Sequence, residues 1–189
     1  EGLSLYREEI KKTEERMKGV IDATSREFAA VRTGRANASI LDRVLVDYYD
    51  VPTPISQMAT IGVPEPRLIT ITPWDKTTLS KIEKAIQKSD LGLNPMNDGS
   101  MLRISIPQLT EERRKELVKV VKKISEEMRV AVRNIRRDAN ENVKALEKDG
   151  NITEDDLKRA QDEIQKLTDK YITEVDKLLS AKEADILQV

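Results

Sequence analysis

Three stretches of the chain carry apolar residues at alternating steps of three and four, the period of an amphipathic helix. In the first these are Leu3, Tyr6, Ile10, Met17, Val20, Thr24, Phe28 and Val31, with Thr13 filling the one gap. In the second they are Leu117, Val121, Ile124, Met128, Ala131, Ile135, Ala139, Val143 and Leu146. In the third they are Leu157, Ala160, Ile164, Leu167, Tyr171, Val175 and Leu178. This spacing predicts long helices that pack at shallow angles. The second stretch drifts from a strict seven-residue repeat near Ala139, as a straight helix of about 3.6 residues per turn must. The ends are marked too. Thr110 before Glu111 and Glu112 reads as an N-cap with acids in the first turn. Lys148-Asp149-Gly150 reads as a stop, and Thr153-Glu-Asp-Asp156 as a capping box with Asp in the place usual for Glu or Gln. The second and third helices are therefore expected to be antiparallel neighbours, each about 50–55 Å long, with the first helix filling the groove between them. The first runs parallel or antiparallel to the second according to how the intervening chain closes.

Between these helices the pattern changes. Six prolines (Pro52, Pro54, Pro64, Pro66, Pro73, Pro95) fall in 52–95, and the seventh is Pro107. Short, often β-branched runs appear at Val44-Leu-Val46, Met58-Ala-Thr-Ile61, Leu68-Ile-Thr-Ile71 and Leu102-Arg-Ile-Ser-Ile106, which predict strands. Leu79 to Lys88 is amphipathic, with Leu79, Ile82, Ala85 and Ile86 on one side, and predicts a helix. The expected architecture is α+β in two domains. A discontinuous three-helix bundle takes 1–31 and 108–189, and a small β/α/β domain inserted within it takes 36–105. Residues 32–35 (Arg32, Thr33, Gly34, Arg35) and 105–109 (Ser105, Ile106, Pro107, Gln108, Leu109) form the two crossings, with Gly34 expected to give one of them backbone freedom. Two slender connections make hinge motion the expectation. Trp74, the single tryptophan, follows Pro73 and is expected to pack within the β domain.

Composition narrows the chemistry. The chain has 189 residues, of which 33 are Lys or Arg and 34 Asp or Glu, so it is nearly neutral. It has no Cys and no His, which excludes thiol catalysis, a Cys/His zinc site, imidazole acid–base work and a disulfide framework. No cofactor is implied. No apolar run approaches about 18 residues, and the start lacks a signal-peptide core, so a cytoplasmic protein without a membrane span is expected. The first residue is Glu rather than Met, which suggests a trimmed or altered start. No Gly-rich phosphate loop is present, and the Asp155-Asp156 pair is explained by capping.

One run stands out against this neutral background. From Arg129 to Arg137 there are four arginines and no acid. On a helix, Arg129, Arg133 and Arg136 fall within about 60° of one another, beside the apolar stripe of Met128, Ala131, Ile135 and Ala139. Two readings compete. The run is a solvated face with ion-pair partners, or it is a grip for phosphate, which the planar guanidinium binds bidentately. Arg32 and Arg35, at the end of the first helix, would strengthen the second reading if the fold brought them alongside. Aromatic residues make up only 3% of the chain, which argues against base stacking and favours folded RNA read through its phosphates.

Several strings resemble the bacterial ribosome recycling factor family. They are Val31-Arg-Thr-Gly-Arg-Ala36, Val51-Pro-Thr-Pro54, Lys84-Ala-Ile86 with Ser89-Asp-Leu-Gly-Leu-Asn-Pro95, Leu109-Thr-Glu-Glu-Arg-Arg-Lys115, Val130-Ala-Val-Arg-Asn-Ile-Arg-Arg-Asp-Ala-Asn140 and Lys166-Leu-Thr168. They occur in the family's order from about residue 5 onward. The resemblance implies an L-shaped, tRNA-sized molecule whose long arm is a three-helix bundle and whose short arm is a β/α/β sandwich on a flexible elbow. It implies a monomeric, non-enzymatic translation factor that binds the large ribosomal subunit (23S rRNA) after termination. With elongation factor G and GTP such a factor splits the subunits, allowing mRNA and tRNA to leave. By position, Arg133 and Arg136 match arginines implicated in ribosome binding, and Arg32 and Arg35 match the basic pair at the elbow. Arg129 and Arg137 join the rRNA-binding set by helical geometry. The competing reading is a helical-bundle adaptor that binds protein and ignores these arginines.

Overall fold

The computed structural model describes residues 2–188. Along the chain the elements are α1 (Gly2–Ala30), β1 (Leu45–Tyr48), β2 (Val51–Pro54), β3 (Ala59–Glu65), β4 (Leu68–Pro73), α2 (Leu79–Lys88), β5 (Pro95–Asn97), β6 (Leu102–Ser105), α3 (Glu111–Lys148) and α4 (Glu154–Leu187). Short 3-10 turns lie at Ala38–Leu41, Ile55–Gln57 and Lys76–Thr78. The chain divides into two compact units: the segment up to Arg32 with Glu111–Gln188, and Thr33–Thr110.

Cross-helix contacts settle the direction of the first unit. Asn142 donates to Glu9 at 2.9 Å and Arg16 pairs with Asp138 at 3.1 Å. Numbers rise on α1 as they fall on α3, so these two helices are antiparallel. Tyr171 donates its hydroxyl to Glu14 at 2.8 Å, and Glu163 stands beside the Tyr6 hydroxyl, whose pKa it raises together with burial. Here the numbers rise together, so α1 runs parallel to α4. The α3–α4 connection has the expected stop and start. Gly150 takes a positive φ of 76°, its N–H reaches the Glu147 carbonyl at 2.9 Å, and the Asn151 N–H reaches the Leu146 carbonyl at 2.9 Å. This double bond pattern satisfies the last carbonyls of α3. Thr153 and Asp156 then close a reciprocal capping box at 3.0 and 3.2 Å.

The core seam follows the predicted stripes with local corrections. On α3 the buried positions are Leu117, Val121, Ser125, Val132, Ile135, Ala139 and Val143. Val132 is fully buried where the pattern pointed to Ala131, and Ser125 where it pointed to Ile124. The drift of a straight helix against its neighbours moves the seam by one residue over this stretch, earlier than Ala139. Leu3, counted as apolar seam, is 61% exposed, and Tyr6 fills the end of the core with Val143, Ile152 and Ile164. The buried hydroxyls are satisfied within their own helices. Thr13 donates to the Glu9 carbonyl, Thr24 to Val20, Thr168 to Ile164 and Ser125 to Lys122, all at 2.7–2.8 Å. Each thus fills an apolar position without leaving a polar atom unpaired.

The second unit packs α2 against antiparallel strands. β1 and β2 form a hairpin, and the main sheet has the order β3-β4-β6-β5. Its core includes Leu41, Val46, Ile55, Ile69, Ile71, Ile82, Ile86, Leu102 and Ile104. β2 escaped the sequence pattern because it holds Pro52 and Pro54, which a two-stranded edge tolerates and a central strand does not. The three-residue β5 is too short to show alternation. The hairpin turns through Tyr49 and Asp50, both at positive φ (49° and 65°), the geometry that matches the twist of paired strands. Trp74 corrects the packing expectation. It is 67% exposed, and its indole N–H donates to the Thr60 hydroxyl at 3.0 Å.

Both crossings are tied to this unit at one place. The Ala36 N–H donates to the Pro66 carbonyl at 2.7 Å, and the Ile106 N–H to the Arg67 carbonyl at 2.8 Å, so the β3–β4 turn holds both. Gly34 is not in the left-handed region. A Cβ there would stand in ordinary contact with the Leu109 backbone nitrogen, at 3.4 Å, so neither an unusual φ nor close approach demands glycine at this crossing.

The Tyr171–Glu14 bond gives a pH signature. Burial and then the Glu14 carboxylate push the Tyr171 hydroxyl up to about 12, while the bond from Tyr171 holds Glu14 below its ordinary value of 4.5. Because the folded pKa of Tyr171 lies above its ordinary 10.0, its contribution is whole below that pH and fades as pH rises toward 12. The Glu14 contribution is whole above 4.5 and fades as pH falls. Tyr171→Phe is expected to cost about 1 kcal/mol at neutral pH and to flatten the alkaline loss of stability, checked by denaturant melts from pH 7 to pH 12.

Candidate nucleic-acid interface

The seam of α3 fixes what its arginines can do. Val132, Ile135 and Ala139 are buried, so the side chains flanking them emerge at the sides of the helix. Arg133 and Arg136 are half-buried and Arg137 is exposed. Two residues between and beside them, Asn134 and Val130, are also exposed. The result is a mixed strip of guanidiniums with one apolar side chain, Val130, at 44% exposure.

Arg129 is differently placed. Its Nε donates to Asp176 at 2.8 Å and its Nη1 to Glu126 at 3.0 Å, and its side chain is only 19% exposed. Burial works against its charge, but the bonds it donates to Asp176 and Glu126, with the charges of those carboxylates, outweigh this and raise its pKa. Arg129 therefore ties α3 to α4. Arg133 faces the other oxygen of Glu126 at 3.6 Å and remains 41% exposed. Among the described residues, no carboxylate stands within ion-pair distance of Arg136 or Arg137. Asp138, the nearest acid in sequence, is drawn to Arg16 on α1.

The C-terminal end of α1 lies away from the level of Arg133. α1 and α3 run in opposite directions, with Arg16 at the level of Asp138. Ala30, the last residue of α1, thus lies roughly 13 Å along the axis from the level of Arg133, and Arg32 lies beyond it. Arg32 and Arg35 are exposed and each has interactions of its own, and Arg35 belongs to the second unit with Thr33, Gly34, Ser105, Ile106, Pro107, Gln108 and Leu109. Ile106 packs against the β core; Ser105, Pro107 and Gln108 are exposed.

Sequence reasoning missed Glu126 and Asp176. Glu126 was legible, since it lies three residues before Arg129 and one helical turn is ion-pair reach. Asp176 depended on the register of α4 and carried no local signal. No helix is long and apolar enough to cross a membrane, and no cluster of metal-binding side chains occurs among the described residues. Because Arg129 bridges two acids in a sheltered place, Arg129→Ala is expected to cost the fold about 1–2 kcal/mol, against a few tenths for the more exposed Arg137→Ala, as read by chemical denaturation.

Known proteins fit this geometry. The family model described as Ribosome recycling factor matches residues 24–187. The chain is similar to the ribosome-recycling factor of Clostridioides difficile (strain 630), 60% identical over 179 residues that cover 95% of this chain and 97% of that protein. It is 61% identical over 185 residues to that of Listeria welshimeri, covering 98% and 100%. Among solved structures, a solution structure of a ribosome recycling factor aligns with a TM-score of 0.75 and 44% identity over 97% of this chain and 98% of that one. A model of the T. thermophilus factor, described with E. coli elongation factor G on the E. coli post-termination complex, aligns with a TM-score of 0.64 and 46% identity, covering 97% and 99%. The chain belongs to the ribosome recycling factor family.

Proposed function

We propose that this protein binds the post-termination ribosome and, with elongation factor G and GTP, separates the subunits so that mRNA and tRNA are released. Family membership over 24–187 carries this reading, and the neighbour described on a post-termination complex with elongation factor G supports it. The protein does no bond chemistry itself; the GTPase is the partner, and the factor acts as a cytoplasmic monomer.

The contact we assign to the large subunit is the outer strip of α3: Arg133, Arg136 and Arg137 against 23S rRNA phosphates. Arg129 serves that strip by holding α3 on α4. Arg32 and Arg35, which match the family's basic pair at the elbow, are further proposed rRNA contacts. A neutral chain suits a factor that must bind and then leave, because each phosphate contact adds affinity that salt can remove. Residues 32–35 and 105–109 are the hinge in this reading. Their ties to the β3–β4 turn support pivoting at the ends of the crossings that adjoin α1 and α3.

Binding to isolated large subunits tests the assignment. The Arg133→Ala/Arg136→Ala variant is expected to lose roughly 2 kcal/mol and to show a shallower dependence on salt. It should also fail to split subunits with elongation factor G and GTP at concentrations where the unaltered protein works. Equal binding and splitting by both would remove the strip from the interface.

A further inference from the structure

Among the described residues, Glu126 is the one carboxylate within ion-pair distance of Arg133. Its two oxygens are divided between two guanidiniums. One accepts Arg129 Nη1 at 3.0 Å; the other faces Arg133 Nη1 at 3.6 Å. The two partnerships differ. Arg129 has a second acid, Asp176 at 2.8 Å, and is sheltered. Arg133 has no second acid among the described residues, and both it and Glu126 are substantially exposed, at 41% and 59%. A separation of 3.6 Å is too long for a good hydrogen bond, so this is an ion pair that solvent and salt can loosen.

We propose that Glu126 is a built-in restraint on RNA affinity, an intramolecular substitute for the phosphate that Arg133 takes on the ribosome. The proposal rests on the reading of the α3 strip as the rRNA contact. Two effects act in the same direction. In the free protein Glu126 occupies Arg133, so a phosphate must displace it. In the complex the carboxylate stays about two turns away on the same face of α3, and repels the incoming phosphate. Neutralising Glu126 removes both. The fold should tolerate the change, because Asp176 still holds Arg129 to α4. The consequence is kinetic as well: a factor with weakened restraint dissociates more slowly, so it splits subunits in a first round but recycles less well.

The test is large-subunit binding by the full chain, over a range of salt, for Glu126→Gln and Glu126→Ala. Glu127→Gln, an exposed acid one residue away, controls for net charge, and Glu126→Gln is repeated on an Arg133→Ala background. Both Glu126 variants are expected to bind about two- to fivefold more tightly at low salt, the range an exposed ion pair allows, with a steeper salt slope. Glu127→Gln should change binding less, and the gain should vanish without Arg133. Melts run alongside show whether each variant is folded. If folded Glu126 variants bind no better than the unaltered protein, the carboxylate orients Arg133 instead of restraining it, and the proposal is overturned. It is equally overturned if Glu127→Gln tightens binding as much, or if the gain survives without Arg133. If the unaltered protein does not bind large subunits, the functional reading fails first and the restraint with it.

Discussion

Two buried tyrosines reach across the same seam in opposite directions, and the arrangement of the bundle depends on them. Tyr171 donates from α4 to Glu14 on α1 at 2.8 Å, and Tyr6 on α1 lies beside Glu163 on α4. The spacing is eight residues on both helices, so a single register serves both pairs. Apolar burial supplies most of the driving force, and the large side chains of α1, Met17 and Phe28, already disfavour a slide along the seam. A slide would also leave the Tyr171 hydroxyl and the Glu14 carboxylate without each other, so this polar pair adds a directional restraint on register. Lys170, beside Glu14 at 3.5 Å, adds charge compensation at the second crossing.

The placing of the arginine strip follows from that register. With α1 parallel to α4 and antiparallel to α3, the groove between α3 and α4 is filled and the sides of α3 are left to solvent. Arg129 then falls opposite Asp176 and becomes part of the frame. Arg133, Arg136 and Arg137, at most two turns further on, have no such partner on α4. One helix thus carries a structural arginine and a set of available ones, separated by about 6 Å of rise per four residues. Neither role is written in residue type. Both depend on what the neighbouring helix presents at that level.

This is why the sequence disclosed some features and hid others. Helix periods, caps and the α3–α4 stop are local, and Gly150, Thr153 and Asp156 took the geometry their types suggest. The amphipathic run from Leu79 to Lys88 appeared as α2 because its apolar face is strongly one-sided. What failed was set at longer range. Helix drift put Val132 rather than Ala131 in the core. Proline disguised β2. Trp74 found its partner in Thr60 and stayed at the surface. For the candidate site, the arginine run was visible from composition, yet the distinction between Arg129 and its neighbours required Asp176, 47 residues away. The direction of α1, left open by the pattern, came only from cross-helix contacts such as Arg16–Asp138.

The claim that the α3 strip is the RNA-facing side can be tested by location rather than affinity. The chain has no cysteine, so a single one can carry a radical-generating iron chelate without a background of other sites. Asn134→Cys places the chelate on the strip; Glu15→Cys places it on an exposed position of α1 at a similar level. On large subunits, the probe at position 134 is expected to cut ribosomal RNA strongly and locally, and the probe at position 15 weakly or elsewhere. Strong cutting from position 15 with none from position 134 would mean that another face of the bundle meets the ribosome.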